Sequence, residues 1–274
     1  MPFRTNRAGE LCWLTSESLC LPGLAHGFST RTGGVSAAPW DSLNLGIARG
    51  DDDACVKENY RRFCAAIGTD AHRTVLSRQV HEDNVRLVTE ADAGKGLWRQ
   101  RDYTSVDAMI CNTPNIPLVV FSADCGIILL YDPIHHAAGA VHAGWRGCAA
   151  GILEKTVQSM TEAFGSQPAD LLAAIGPCIG PCCFETDDDV ADAMMAALGC
   201  ETALSYLERH GSKWHVDLEG LNRQWLLRAG LVPEHIDPCG LCTACHPDLF
   251  WSHRKMGNAR GAQIAMISLP EKTL

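Results

Sequence analysis

Residues Ser122 to Gly147 read SADCGIILLYDPIHHAAGAVHAGWRG. Two apolar runs, Gly126 to Tyr131 (GIILLY) and Ala137 to Val141 (AAGAV), flank the turn-forming segment Asp132-Pro133-Ile134-His135-His136. Short, continuously apolar runs bounded by turn residues read as buried strands. As antiparallel neighbours they bring Cys125, just before the first strand, close to His142, at the end of the second. A soft thiolate meeting an imidazole at one sheet edge suits either a metal site or a cysteine nucleophile with its base. Taken singly, each residue is more readily an ordinary core cysteine or histidine. The Gly-rich, Arg-bearing turn Gly144-Trp145-Arg146-Gly147 that follows shifts the balance towards function.

Working outward, the chain has 274 residues, 46% of them hydrophobic and 20% charged, as expected for a globular protein with a sizeable core. A net charge of -9 argues against nucleic-acid binding, which needs a basic face. Asp, Gly and Pro break every apolar run before it reaches membrane-spanning length. The opening MPFRTNRAGE has no apolar segment of the signal-peptide kind, so a cytoplasmic location is expected. In that setting the fourteen cysteines are read as reduced thiols, most of them small core residues and a few potential ligands.

Helical spacing of apolar residues predicts helices over Val56 to Ile67, Ala149 to Phe164, Asp187 to Leu198 and Leu218 to Ala229. Gly68 is placed to stop the first, and three aspartates open the third, where the helix dipole favours them. Further strands are expected at Ala25 to Thr30, Thr74 to Leu76, Val85 to Val88, Asp107 to Cys111, Leu118 to Phe121, Leu171 to Ile175 and Gln263 to Leu269. No repeat or linker divides the chain, which predicts one α/β domain with mixed sheets over residues 1–274. A long polar loop, Arg31 to Gly46, ends in Ser42-Leu43-Asn44-Leu45-Gly46, and loops of that length in compact proteins often carry function. A reactive zinc site needs three protein ligands and one open position. Among the eleven histidines the best third ligand is His81, beside Gln79 in the polar insert between two short strands.

Five segments together resemble the laccase-domain, or polyphenol-oxidase-like, family, whose members are also described as purine nucleoside phosphorylases. They are SLNLG (Ser42 to Gly46), RQVH (Arg78 to His81), SADC (Ser122 to Cys125), AVHAGWRG (Ala140 to Gly147) and Gly176 to Glu185 (GPCIGPCCFE), in the family's order. The resemblance implies an α/β fold with mixed sheets packed face to face and helices outside. It implies one metal, usually zinc and sometimes reported as copper, on His81, Cys125 and His142. It also implies phosphorolysis of adenosine, inosine or methylthioadenosine, together with adenosine deamination, so the expected partners are purine nucleosides and phosphate. Zinc with an open position brings the pKa of bound water towards ~7, which suits deamination. Phosphorolysis further needs a cationic cradle, for which Arg62, Arg146 and Arg31 are candidates by guanidinium geometry. Asn44, Gln79 and Asp124 are candidates to position ribose or base, and Trp145 to stack on a purine. Asp124 is alternatively an orienter of the metal cysteine.

Two departures stand out. Where the family has Asn-Arg this chain has Asn59-Tyr60, with Arg62 two residues on, and the family's Ser-Tyr-Arg-Arg is Ser252-His253-Arg254-Lys255. Multicopper oxidation fits poorly, because no two of the histidines have His-x-His spacing and three ligands cannot hold a four-copper cluster. Other readings are a metal-free cysteine hydrolase using Cys125 and His142, and a non-catalytic metal-binding protein. Pro238-Cys239-Gly240-Leu241-Cys242 is half of the nucleotide-deaminase signature, but no His here has Glu two residues later. Cys239, Cys242, Cys245 and His246 form a candidate structural zinc knot, tighter in spacing than usual fingers.

Overall fold

The computed structural model describes residues 2–271. Its centre is a pair of six-stranded mixed sheets. The first contains Phe3–Ala8 (β1), Leu11–Ser16 (β2), Ala25–Ser29 (β3), Val75–Leu76 (β4), Leu118–Ser122 (β7) and Gln263–Ser268 (β15), in the order β1-β2-β3-β15-β7-β4. The second contains Val85–Leu87 (β5), Ala108–Cys111 (β6), Gly126–Asp132 (β8), Ala137–Ala143 (β9), Leu172–Ile175 (β10) and Ile236–Pro238 (β14), in the order β14-β10-β8-β9-β6-β5. A small antiparallel sheet joins Glu185–Thr186 (β11), Leu207–His210 (β12) and Lys213–Val216 (β13). The helices are Asp53–Ile67 (α1), Trp145–Ala149 (α2), Ile152–Phe164 (α3), Asp188–Leu198 (α4), Cys200–Leu204 (α5), Leu218–Arg228 (α6) and His253–Met256 (α7).

The apolar runs are continuous because both faces of each large sheet are covered. Along β8, Ile127, Leu129 and Tyr131 enter the core between the sheets, where they meet Val120, Ala265 and Ile267 of the first sheet. Ile128 and Leu130 point the other way, into a core built with Val157, Met160, Leu221 and Trp225 of α3 and α6. On the far side of the first sheet, Val119, Ile264 and Met266 pack on Val56, Tyr60 and Phe63 of α1. The result is a four-layer helix–sheet–sheet–helix arrangement, as the sequence motifs imply. Burying each large aliphatic side chain contributes about 1.5–3 kcal/mol, so these layers supply most of the driving force.

Gly68 stops the first helix as expected, while its start lies at Asp53, three residues before the Val56 read from the apolar spacing. Asp52 caps α1 by accepting from the Ala54 N–H at 2.7 Å, and Gly68 closes it in the left-handed conformation. Asp132 holds the β8–β9 turn by accepting from the Ile134 and His135 N–H groups at 2.8 and 3.0 Å. One expectation needs correction, and one element was not read at all. The helix read as Ala149 to Phe164 is two helices, because Gly151 has φ +74° and ends the helical path between α2 and α3. The N-terminal segment is a hairpin, β1 with β2; β1 (FRTNRA) is too polar to announce itself and is held by pairing with the buried β2.

Candidate metal centre and cationic cleft

Cys125 lies in the short crossover from β7 of one sheet to β8 of the other. His142 is on β9, opposite Ile127 in the antiparallel register, which puts it one residue pair inside the β8 edge. His81 comes from the loop between β4 and β5 and adopts φ +65°. A non-glycine residue rarely takes that conformation, and here it turns the imidazole towards Cys125, whose Sγ is 3.9 Å from His81 Nε2. One ligand atom from each of His81, Cys125 and His142 lies within 4.8 Å of the other two. The three expected ligands therefore converge. Gly144 allows it: a Cβ there would sit 2.9 Å from Cys125 Sγ and 3.4 Å from His81 Cδ2.

A fourth residue, read in the sequence only as the start of a strand, organises the trio. Asp107, fully buried just before β6, accepts from His142 Nδ1 at 2.8 Å. Its Oδ1 also accepts from the His81 N–H at 3.1 Å, and its Oδ2 from the N–H groups of Val80 and Glu82 at 3.0 and 3.3 Å. One carboxylate thus fixes the tautomer of one histidine and the loop that carries the other. Histidine metal ligands characteristically have such a partner on the second ring nitrogen. The backbone register explains the placement, since His142 N donates to Asp107 O at 2.8 Å beside the β6–β9 ladder.

Electrostatics follow from this packing. Burial opposes charge on Cys125, yet the neighbouring His142 charge and the hydrogen bonds from both histidines pull its pKa down to about 6. Burial likewise opposes charge on His142, while Cys125 and Asp107 outweigh it and raise its pKa to about 9. Asp107 stays ionised below the usual carboxylate range because the His142 and backbone N–H bonds overcome desolvation. A thiolate and two imidazoles with Nδ1 of one already occupied form a donor set that fits a borderline-soft divalent ion such as zinc.

The same cleft is lined by Arg49, Arg78, Arg101 and Arg260, together with Gln79. None of the four forms an ion pair with a carboxylate among the described residues. Arg260 is buried to 8% exposure, and its Nε has no hydrogen-bond partner. Burial and the nearby Arg49 lower its pKa to about 10, with Asp124 and Cys125 pulling the other way. Burial also lowers the pKa of Arg49 and Arg101. Four guanidinium groups without carboxylate partners line one cleft of a protein of net charge -9, and their chemistry suits an anion. They escaped the sequence reading because they stand far apart in the chain; only the Arg78 of RQVH belonged to a recognised motif.

Of the residues expected to hold substrate, the structure gathers some and redirects others. Arg62 is outside the cleft: its guanidinium pairs with Glu58 and donates to Gly33 O, in a separate hollow. Tyr60 is fully buried and donates to Leu45 O at 2.9 Å, so the departure at that position serves packing. Arg31 lies over Trp251 and donates to the carbonyls of Asp41 and Pro247. Asn44 is fully buried; its Oδ1 accepts from the N–H groups of Gly46 and Ala262, and its Nδ2 donates to Gly46 O and Asp51. It thereby anchors the two loops that present Arg49 and Arg260. Gln79 lines the cleft but pairs with the Phe121 backbone through both ends of its amide.

Asp124, at φ +94°, accepts from Thr243 Oγ1 and from the Arg254 N–H, both at 2.6 Å. Both carboxylate oxygens are thus engaged by the protein, which fixes the residue next to Cys125. Trp145 opens α2 and walls a small apolar hollow on another side of Cys125, with Ile179, Phe184 and His253. Arg146 stacks on Trp145 with its guanidinium carbon 4.1 Å from the ring centre.

Fold and site together define a four-layer α/β protein with a two-histidine, one-cysteine ligand set beside a cationic cleft. The chain belongs to the family described as multi-copper polyphenol oxidoreductase laccase, whose model matches residues 25–270. It is 37% identical to purine nucleoside phosphorylase YlmD of Bacillus subtilis over 89% of this chain and 88% of that protein. It is 38% identical to purine nucleoside phosphorylase YfiH of Escherichia coli over 85% of this chain and 89% of that one. The crystal structure of YlmD from Geobacillus stearothermophilus aligns with a TM-score of 0.90 at 34% identity, covering 97% of this chain and 99% of its own. That of the Bacillus licheniformis hypothetical protein YfiH aligns at 0.89 and 34%, covering 98% and 99%. No helix among the described residues is long and apolar enough to cross a membrane.

Proposed function

We propose that this protein is a zinc-dependent purine nucleoside phosphorylase. The observation that carries the reading is the meeting of four uncompensated arginines with the His81–Cys125–His142 trio in one cleft. The relatives' name, purine nucleoside phosphorylase, points the same way. In phosphorolysis a phosphate oxygen forms a bond to ribose C1′, the C1′–N9 bond breaks, and the purine leaves with the bonding pair and takes up a proton. Arg49, Arg78, Arg101 and Arg260 bind and orient the phosphate. The hollow bounded by Trp145 and Phe184 offers a stacking surface for a purine. A zinc ion on the trio would supply Lewis acidity at one open coordination position. Asp107 holds His142 and the His81 loop in place for it.

Adenosine, inosine and methylthioadenosine are the proposed nucleosides, with deamination of adenosine as a second activity of the same centre and copper as an alternative ion. The fourteen free thiols suit the reducing cytoplasm. A second reading has its own observation: Asp107, His142 and Cys125 also form an orienter–base–thiolate series of the kind cysteine hydrolases use. One assay separates the readings. Purified protein is incubated with adenosine, with and without phosphate, and adenine, inosine and ribose 1-phosphate are resolved. Phosphate-dependent adenine release that disappears in His81→Ala supports the proposal. Base release independent of phosphate, or full activity in His81→Ala with loss only in Cys125→Ala, overturns it in favour of the metal-free thiolate.

A further inference from the structure

A second convergence of soft ligands lies outside the cleft. The stiff loop after β10 brings Cys182 and Cys183, and the Cys-rich loop after β14 brings Cys242 and Cys245, so that all four Sγ atoms lie within 4.8 Å of one another. Cys245 Sγ is 3.4 Å from both Cys182 Sγ and Cys183 Sγ. The sulfurs therefore gather about a shared centre and do not sort into two couples. Four thiolates at ~2.3 Å from a tetrahedral zinc stand somewhat under 4 Å apart, the spacing approached here. The backbone is set for this arrangement. Thr243 N donates to Cys178 O at 3.0 Å, locking the two loops in register, and Gly180 N donates to Cys242 Sγ at 3.3 Å, a bond that favours the thiolate. Arg254 donates to the carbonyls of Cys183 and Glu185, placing a positive charge beside a cluster whose zinc-loaded form carries two negative ones.

We propose that Cys182, Cys183, Cys242 and Cys245 bind a structural zinc ion as a tetrathiolate. This corrects the sequence expectation of a knot from Cys239, Cys242, Cys245 and His246. Cys239 is 2% exposed in the core between the sheets, with its N–H on Ile175 O, and neither it nor His246 belongs to the cluster. The ligands come from two loops distant in sequence, as in two-knuckle structural sites, which no single-segment spacing reveals. The clip also has a target. Ile179 N donates to Asp124 O at 2.8 Å and Thr243 Oγ1 donates to Asp124 Oδ1, so both clipped loops brace the residue preceding Cys125. The ion holds two walls of the first site together without touching substrate.

The test uses full-length protein purified under reducing conditions from zinc-supplemented cells, and it does not depend on the phosphorylase reading. Metal analysis should give two zinc ions per chain, falling to one in Cys242→Ser/Cys245→Ser and to one in His81→Ala/Cys125→Ala. In the first variant the remaining ion belongs to the trio; in the second, Cys182, Cys183, Cys242 and Cys245 should resist alkylation until a strong chelator is added. Because the serine variant can fail to fold, the intact protein is also exchanged into cadmium. Its cadmium NMR spectrum should show an all-sulfur resonance beside that of a mixed nitrogen–sulfur site. Immediate alkylation of all four thiols, a Cys182–Cys245 or Cys183–Cys245 disulfide mapped in that preparation, iron in place of zinc, or no all-sulfur cadmium signal would each overturn the proposal.

Discussion

Asp107→Asn tests the logic of the metal centre most sharply, because it changes one atom and no volume. Oδ1 accepts from His142 Nδ1 and the His81 N–H, while Oδ2 accepts from the N–H groups of Val80 and Glu82. An asparagine has one acceptor and one donor end, so either orientation turns an amide N–H towards two donors. With the amide nitrogen on the His142 side, the ring must give up its Nδ1 proton and carry it on Nε2, the nitrogen a metal needs. With the nitrogen on the other side, the loop that positions His81 loses two anchors. A hydrogen bond to a charged acceptor is worth about 1.5–3 kcal/mol, so two lost bonds predict a destabilisation of roughly 3–6 kcal/mol. Loss of a metal ligand's supporting partner typically lowers metal affinity ~10–100-fold. Zinc affinity is measured by competition with a chromophoric chelator, and stability by urea unfolding of the chelated protein. A variant that keeps wild-type zinc affinity within a factor of two, with an unchanged unfolding midpoint, would refute the role assigned to Asp107.

Arg260→Ala should raise the KM for phosphate by about 10–100-fold, the equivalent of one charge-assisted bond, with a much smaller effect on the nucleoside KM. Arg62→Ala, outside the cleft, is the matched control, and a larger phosphate effect there would invert the assignment of the cradle. In chelated protein, iodoacetamide should label Cys125 with a pH midpoint near about 6, reactivity falling as pH drops below it; His142→Gln should move that midpoint up towards the ordinary thiol range. A midpoint near 9 in the unmutated protein would contradict the thiolate assignment. His26 is buried, accepts from the Ser16 N–H at 3.0 Å, and has its pKa lowered to about 4 by desolvation. Its folded pKa lies below the unfolded value, so the stability it confers is full above pH ~6.5 and is lost as pH falls through about 4. The loss is about 3 kcal/mol, and His26→Gln should remove that part of the acid slope in denaturant titrations.

How much of this was readable in advance differs from residue to residue. The β8–β9 pair was legible because its runs are apolar at every position, and such runs end where a Pro-bearing turn and polar flanks begin. His81, Cys125 and His142 were legible because their motifs match the resembled family; by residue type alone each also fits an ordinary core or loop position. Asp107 was not: a lone carboxylate before an apolar strand looks like a strand boundary until β6 pairs with β9. The thiol cluster showed the same limit, with Cys242 and Cys245 found and their partners missed, since Cys182 and Cys183 stood within a motif already read for another purpose.

Residue order determined the α/β class, the helix end set by Gly68, and the imidazole and thiolate donors, because hydrophobic period, capping and donor chemistry act locally, while the face-to-face layers came from the family resemblance. Tertiary structure decided the rest. It chose which arginines face the cleft, turned Asn44, Gln79 and Asp124 into supports for the loops around it, and set Asp107 behind the histidines. Those outcomes depend on distances between segments far apart in the chain, and such distances exist only after the sheets have packed.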